Sequence, residues 1–338
     1  MRLLPVKAHP FLKWAGGKSR LIEQFTLHLP PELKQGTIKR YVEPFIGGGA
    51  LFLHLVHVYE VREYVLSDVH EELILCYRTL QQDVEAVIAA IETLQASYLR
   101  KDDAERERMF YAIREQFNAQ RTSIDYGHFT PSWIERTAQI LFLNHTCFNG
   151  LFRFNSRGEF NVPFGRYKHP RMYQAENLRI WSRILQETTI LQGDFTICEK
   201  FADVGTFFYF DPPYRPLNKT AAFTGYARDA FREDDQHRLA AFFRRLDQTG
   251  AKLMLSNSNP RNVDPDDTFF DELYAGFTIS EVLAARAINS NGKKRGHISE
   301  LVITNYDGSS QYRTLHPTPS TTSAPTYPLA GTSSNKLH

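Results

Sequence analysis

The chain has 338 residues, 42% of them hydrophobic and 23% charged, the proportions of a globular protein with room for one large domain or two modest ones. No run of about 18 apolar residues occurs, which excludes a transmembrane helix, and a formal net charge of +2 does not by itself announce a polyanion partner. Cys76, Cys147 and Cys198 are too few and too widely spaced for a disulfide framework or a zinc site, so a reducing compartment is expected. The segment "MRLLPVKAHP" lacks the apolar core of a signal peptide, and the expected location is the cytoplasm.

In chain order, a helical pattern near 19–29 precedes a strand near 41–43, a helix near 50–59 and a strand near 63–67. Helical patterns follow near 71–94, 104–119, 133–143 and 176–185. Strands near 189–192 and 206–210, a helix near 233–246 and strands near 252–256, 279–283 and 300–305 complete the alternation. Strand and helix in turn predict an α/β fold with a largely parallel, doubly wound sheet covered on both faces. From 75 to 185 the chain is mostly helical and then loop-like, with no core strand, which predicts a second domain inserted into the first. The expected division is 1–74 with 186–307 as the sheet domain, 75–185 as the insert, and 308–338 as a disordered tail rich in Ser, Thr and Pro. Between His145 and Leu185 there are seven Lys or Arg against two acids, either a phosphate-contacting surface or a solvated face.

Several glycine- or acid-bearing turns carry candidate chemistry. "YVEPFIGGGALFLHL" (41–55) is a strand, a glycine turn and a helix start, and Gly47, Gly48 and Gly49 allow a ligand to approach the backbone at the carboxyl edge of the sheet. It is neither the spaced dinucleotide fingerprint nor a phosphate loop, and a plain tight turn is the competing reading. "EYVLSDVHEEL" (63–73) ends a strand in Asp68, placed either to accept hydrogen bonds from ribose hydroxyls or to cap the next helix. "FLKWAGGKSRL" (11–21) sets Trp14 and Lys18 around two glycines, and "LQGDF" (191–195) offers Asp194 as a turn residue or a polar contact. Asn257 and Ser258 are pocket lining or a turn, and "SNGKKRGH" (290–297) is a phosphate-contacting or a merely solvated loop.

"FFYFDPPYRPL" (207–217) drives a hydrophobic strand into Asp211-Pro212-Pro213-Tyr214. Two prolines fix the backbone and leave carbonyl oxygens without adjacent N–H groups, so the loop is an array of acceptors beside an aromatic ring. Such an array suits a planar substrate with an exocyclic amino group. Asp211 and the Pro212 carbonyl accept its two hydrogens, Tyr214 stacks on its ring, and the polarised nitrogen regains a usable lone pair. A rigid turn ending a strand is the bland alternative.

Together and in this order, "FLKWAGGK", "VEPFIGGGALFL", "FNGLFRFNSRGEFNVPFGRYK", "DPPY", "AAFTGY" and "SNGKKRGHISELVITNY" resemble the Dam-like (D12 class) N6-adenine-specific DNA methyltransferases, over about 11–306. The resemblance implies a class I methyltransferase fold, Rossmann-like with a mixed, mostly parallel sheet, and an inserted, mainly helical target-recognition domain. It also implies S-adenosyl-L-methionine (AdoMet) as methyl donor, double-stranded DNA as partner and no metal. By position, Trp14, Lys18 and Asp68 match cofactor-binding residues, and the loop carrying Glu43, Phe45, Gly47 and Gly49 matches the methionine-side loop. Asp194 is a further candidate cofactor contact. Asp211 matches both a cofactor contact and the catalytic aspartate, with Pro212 and Tyr214 completing the catalytic loop. Phe148, Asn149, Arg153, Pro163 and Arg166 align with positions that touch DNA, and Lys13 is a further candidate base contact. Phe148 stands where the enzymes most like Dam have tyrosine.

On this resemblance the target adenine is flipped out of the duplex, because a stacked base cannot meet a donor held in a protein cleft. Insert cations would hold phosphates, and Arg153 would reach a guanine edge. The expected reaction is direct in-line transfer to N6, catalysed mostly by positioning and polarisation, with the proton leaving to water or Asp211. "RGEFNVPFGRYK" and Arg153 look like GATC-methylating members, so GATC is the expected site. A monomer is expected, and a restriction endonuclease acting on the same site is a candidate partner. Two rivals stand beside this reading: amino-methylation of another substrate (cytosine N4, RNA or a protein glutamine), and a catalytically silent, sequence-specific DNA-binding protein.

Overall fold

Short apolar runs pair as one seven-stranded sheet in the computed structural model, which describes residues 7–215, 231–284 and 298–307. The strands are β1 (Arg40–Glu43), β2 (Glu63–Asp68), β3 (Thr188–Gln192), β4 (Thr206–Phe210), β5 (Lys252–Ser258), β6 (Thr278–Ala284) and β7 (Ile298–Thr304), in the order β3-β2-β1-β4-β5-β7-β6. β1 to β5 are parallel, and β7 runs antiparallel to both β5 and β6. All five residues of β4 are buried, because the sheet is covered on both faces. Val42, Val65, Phe208, Phe210, Leu253 and Leu255 enter one hydrophobic cluster, while Tyr41, Tyr64, Phe207, Tyr209 and Met254 enter the other. The period-2 alternation of a strand, with a buried face on either side, therefore explains why "FFYF" carries no charged residue.

The helices are α1 (Ile22–Phe25), α2 (Pro31–Lys34), α3 (Ala50–Val58), α4 (Glu71–Gln82), α5 (Val84–Leu99), α6 (Asp103–Gln120), α7 (Ser132–Thr146), α8 (Ala175–Leu185), α9 (Glu233–Asp247) and α10 (Phe269–Leu273). Two expectations from periodicity are corrected. The pattern near 19–29 yields only the single turn of α1, and Pro30 and Pro31 begin a separate helix. The pattern near 71–94 is two helices, because Asp83 leaves helical geometry (φ −152°) and accepts a hydrogen bond from the Ala86 N–H at 3.0 Å, capping α5. α6 starts on a reciprocal capping box between Asp102 and Glu105.

Between β2 and β3 no strand forms among the described residues. The stretch 147–174 is held by two isolated bridges, Cys147 with Phe164 and Phe154 with Phe160. α7 is tied to α4 by a buried ion pair: the Arg136 guanidinium donates to both Glu72 oxygens, to the Phe117 carbonyl, and lies over the Phe117 ring. Phe52 and Tyr64 near the sheet share one continuous core with Tyr98, Phe110 and Trp181 of α5, α6 and α8. The three cysteines are buried and unpaired. "AAFTGY", "SNGKKRGH" and the tail 308–338 lie outside the described residues.

Candidate active site

β1 and β4 are neighbours, yet the chain winds outward from them in opposite directions, towards β2 and β3 on one side and β5 on the other. The loops leaving their carboxyl ends must diverge, and that divergence opens a crevice at the reversal point. Here it is a cavity of about 740 Å³ whose lining includes Trp14, Glu43, Gly47, Asp68, Asp211 and Tyr214. Residues 130 or more positions apart are thus brought to one sheet edge.

The glycine turn after β1 is shaped for close approach. Gly47 (φ +45°) and Gly49 (φ +68°) occupy the left-handed region, which a side chain resists. A Cβ on Gly47 would meet the Trp14 ring at 2.8 Å, and one on Gly49 the Trp181 ring at 2.9 Å. The Gly47 N–H donates to Asp68 Oδ2 (3.2 Å) and its carbonyl accepts from the Tyr77 hydroxyl (2.8 Å). Asp68 Oδ1 accepts from the His70 N–H (3.0 Å), and α4 starts without a side-chain cap, so this carboxylate braces the glycine loop instead of capping the helix. Burial pushes the Asp68 carboxyl above its ordinary range, opposed by the N–H groups of His70 and Gly47. Glu43, 2% exposed, accepts from the Tyr41 hydroxyl at 2.8 Å. Burial raises its carboxyl well above the usual range, and nearby Asp211 and Asp68 add to the rise.

The second loop follows β4. Lys18, 4% exposed, places its ammonium 2.9 Å from Asp211 Oδ1, 2.8 Å from the Gly16 carbonyl and 4.3 Å from the centroid of the Tyr214 ring. Asp211 Oδ1 also accepts from the Ser256 hydroxyl (3.1 Å), which is itself bonded to Tyr209 (2.9 Å). Burial raises the Asp211 carboxyl, and Lys18 and Ser256 pull it back. Among the described residues the Pro213 carbonyl accepts from Gln236 (3.3 Å), whereas Pro212 lines the cavity without a partner. Asn257 lies behind the loop at the end of β5, bonded to the N–H groups of Ser258 and Arg215 and to Gln236. It braces the loop and, like Ser258, does not line the cavity.

The other expected residues divide. Phe45 lines the cavity and packs on Phe195 and Phe231. Asp194 is absent from the lining: it caps the short helix that follows, through Thr196, and pairs with Arg238 at 3.0 Å. Lys13 stands at the cavity rim, its main chain clamped by Asn144. Phe148 and Asn149 are exposed, and the Phe148 N–H donates to the Pro163 carbonyl at 2.8 Å, which brings all three together. Arg153 lies on the neighbouring bridge-bearing loop, held by Asn161 at 3.0 Å. Arg166, with φ +57°, is 3.7 Å from Glu107. The local charge excess is smaller than the linear count implies, because Glu85 and Glu107, both outside the stretch, pair with Arg179 and Arg166. Residues that the sequence reading passed over are Tyr77, His70, Phe152 and Glu300. Of these only Glu300 left a signal, a lone charge within the apolar strand "ISELVIT".

The sheet order, with one antiparallel strand inserted between the last two, and the loop cavity at its reversal point define a class I AdoMet-dependent methyltransferase fold. Residues 14–288 match the profile of the D12 class N6 adenine-specific DNA methyltransferases, and the chain belongs to that family. It is 47% identical over 302 residues to the type II methyltransferase M.MjaIII of Methanocaldococcus jannaschii, covering 89% of this chain and all of that protein. It is 36% identical to the type II methyltransferase M1.LlaDCHI of Lactococcus lactis subsp. cremoris (89% and 96% covered) and 32% identical to the DNA adenine methylase of Escherichia coli K12 (88% and 95%). The family is one of enzymes that act on DNA with AdoMet as methyl donor. Among the described residues no helix is long and apolar enough to cross a membrane, and no group of side chains has the makings of a metal site.

Proposed function

We propose that the protein transfers a methyl group from AdoMet to N6 of an adenine flipped out of a short duplex site, and that the site is GATC. The observation that carries this reading is the Lys18–Asp211 pair beside Tyr214, facing the glycine loop across one cavity. The residues fit the donor: Glu43, Asp68 and Asp211 line the cavity with acceptor oxygens suited to its ammonium and hydroxyl groups, and the side-chain-free backbone at Gly47 leaves room beside Trp14. When bound, AdoMet supplies an electrophilic methyl group. Trp14 and Phe45 would line its binding walls, Asp68 would accept from its hydroxyls, and Lys18 would keep Asp211 ionised.

Asp211 and the Pro212 carbonyl would accept the two N6 hydrogens and draw the amine towards tetrahedral geometry, while Tyr214 holds the ring by stacking. The new nitrogen–carbon bond would form as that carbon's bond to sulfur breaks, with the electron pair left on sulfur; one N–H proton would leave to Asp211 or water, and neutral N6-methyladenine would remain. Among the described residues the Pro212 carbonyl and the second oxygen of Asp211 have no hydrogen-bond partner, which supports this assignment. Segment 75–185 would read the site, with Phe148, Asn149 and Pro163 at the duplex, Arg153 and Arg166 on bases or phosphates, and Lys13 linking the reader to the cavity. GATC rests on the likeness of "RGEFNVPFGRYK" to methylases of that site.

The test is labelled methyl transfer from AdoMet to adenine-methylation-free DNA, with modified positions mapped by sequencing and Asp211→Ala run alongside. Label on N6 within GATC, reduced at least about 100-fold in the variant, is the expected result. Label at another short site would overturn the specificity alone. Label on cytosine would overturn the substrate base, and tight DNA binding without label would replace the enzyme by a silent binder.

A further inference from the structure

Glu300 belongs to no expected site, yet it is built into this one. It lies on β7, opposite Ser258 of β5, and its side chain is 17% exposed. Alternation along β7 sends Leu301 and Ile303 to one hydrophobic cluster and Val302 to the other, so Glu300 shares the Val302 side, where Tyr209 also packs. A carboxylate there has left water and needs partners. It has two: it accepts a hydrogen bond from the Tyr214 hydroxyl, and it stands 4.0 Å from the Lys18 ammonium. Lys18 in turn spans Gly16, Asp211 and the face of the Tyr214 ring.

The ring of Tyr214 is consequently fixed at both its face and its end. Without Glu300 the phenol would lose its only side-chain partner among the described residues, and the ring would turn about its side-chain torsions. A charge-assisted phenol–carboxylate bond is shorter and stronger than a neutral one, so it is a suitable peg for a stacking surface. The antiparallel strand, which adds no residue to the two loops of the parallel sheet edge, thereby reaches the site from behind.

We propose that Glu300 is a positioning residue for methyl transfer, holding the plane of the Tyr214 ring against the target base through the phenol hydroxyl. This inference rests on the adenine-methylating reading above. Its action is indirect: Glu300 touches neither base nor donor, and it sets the angle at which the ring presents itself. Misplacing a stacked substrate lowers turnover more than it lowers donor binding.

Steady-state kinetics of Glu300→Ala, Glu300→Gln, Tyr214→Phe and the Glu300→Ala/Tyr214→Phe double variant test it, with 2-aminopurine in place of the target adenine as a fluorescent reporter of stacking. Glu300→Ala is expected to lower kcat roughly 10- to 100-fold while KM for AdoMet stays within about threefold. Tyr214→Phe should match it, and the double variant should be no worse than either, since both remove the same bond. Glu300→Gln keeps an acceptor and the side-chain shape, so it should recover most of kcat and the wild-type aminopurine quenching. Wild-type kcat in Glu300→Ala, additive losses in the double variant, or a Gln variant that folds yet is as slow as Ala would each overturn the proposal. A wild-type protein that labels no adenine would instead overturn the functional reading and take this proposal with it.

Discussion

At Gly47 one atom separates a loop from an obstruction. A β-carbon there would clash with the Trp14 ring and hold φ at +45°, so Gly47→Ala is expected to weaken AdoMet binding about tenfold or more and to cost about 1 kcal/mol of stability. Titration calorimetry and thermal melting check both. Gly36→Ala is the control: it carries the same kind of strain at φ +68° with open space around it, and should leave donor affinity unchanged. Glu43 makes a second prediction at this scale. Its folded carboxyl is raised above the unfolded value, so the native state binds more protons in the window between them and stability falls as pH rises through it. Glu43→Gln keeps an acceptor for Tyr41 and removes the charge. It should melt higher than the wild type at neutral pH, with the gap closing as the buffer is taken towards pH 4–5, around the unfolded glutamate pKa of about 4.3. A gap independent of pH would refute the assignment.

Elements show where periodicity misleads. An apolar stripe continues across 71–94, and only the backbone turn at Asp83 reveals two helices. Aspartate at a helix start stabilises by satisfying an orphan N–H, so Asp83→Ala should cost about 1 kcal/mol in denaturant unfolding and leave kcat unchanged. The loop after β4 shows the opposite case. Asp-Pro-Pro-Tyr is legible without any structure, because an acid and two prolines have no reason to end a buried strand except as fixed acceptors. Its bracing by Asn257, Gln236 and Ser256 was not legible, since those residues come from α9 and β5 and carry no local signature of the contact.

Across the whole molecule, charge is organised by contacts between distant segments. Arg136 and Glu72, 64 positions apart, form a buried pair with further bonds to Tyr126 and Phe117. Arg136→Ala should destabilise by about 3–5 kcal/mol, because Glu72 is left charged and buried, and the Arg136→Met/Glu72→Met double variant should recover most of that in urea unfolding. The basic stretch between His145 and Leu185 behaves similarly. Arg179 is engaged twice by Glu85, whereas Lys168 and Arg171 have no ion pair among the described residues. Lys168→Ala is therefore expected to reduce the slope of log K for DNA against log salt by about 1, and Arg179→Ala to leave it unchanged. Equal slopes in both variants would show that the linear charge count was the better guide.

The sequence by itself determined all seven strands, most of the long helices, the glycine and Asp-Pro-Pro-Tyr loops and the family, because these depend on local periodicity, backbone chemistry and residue order. Only the tertiary structure supplied the partners: Gly47 for Asp68, Arg238 for Asp194 and Tyr214 for Glu300. These partners lie 21, 44 and 86 positions away, and pairing at that range is set by the order of strands in the sheet, which no short window of sequence contains.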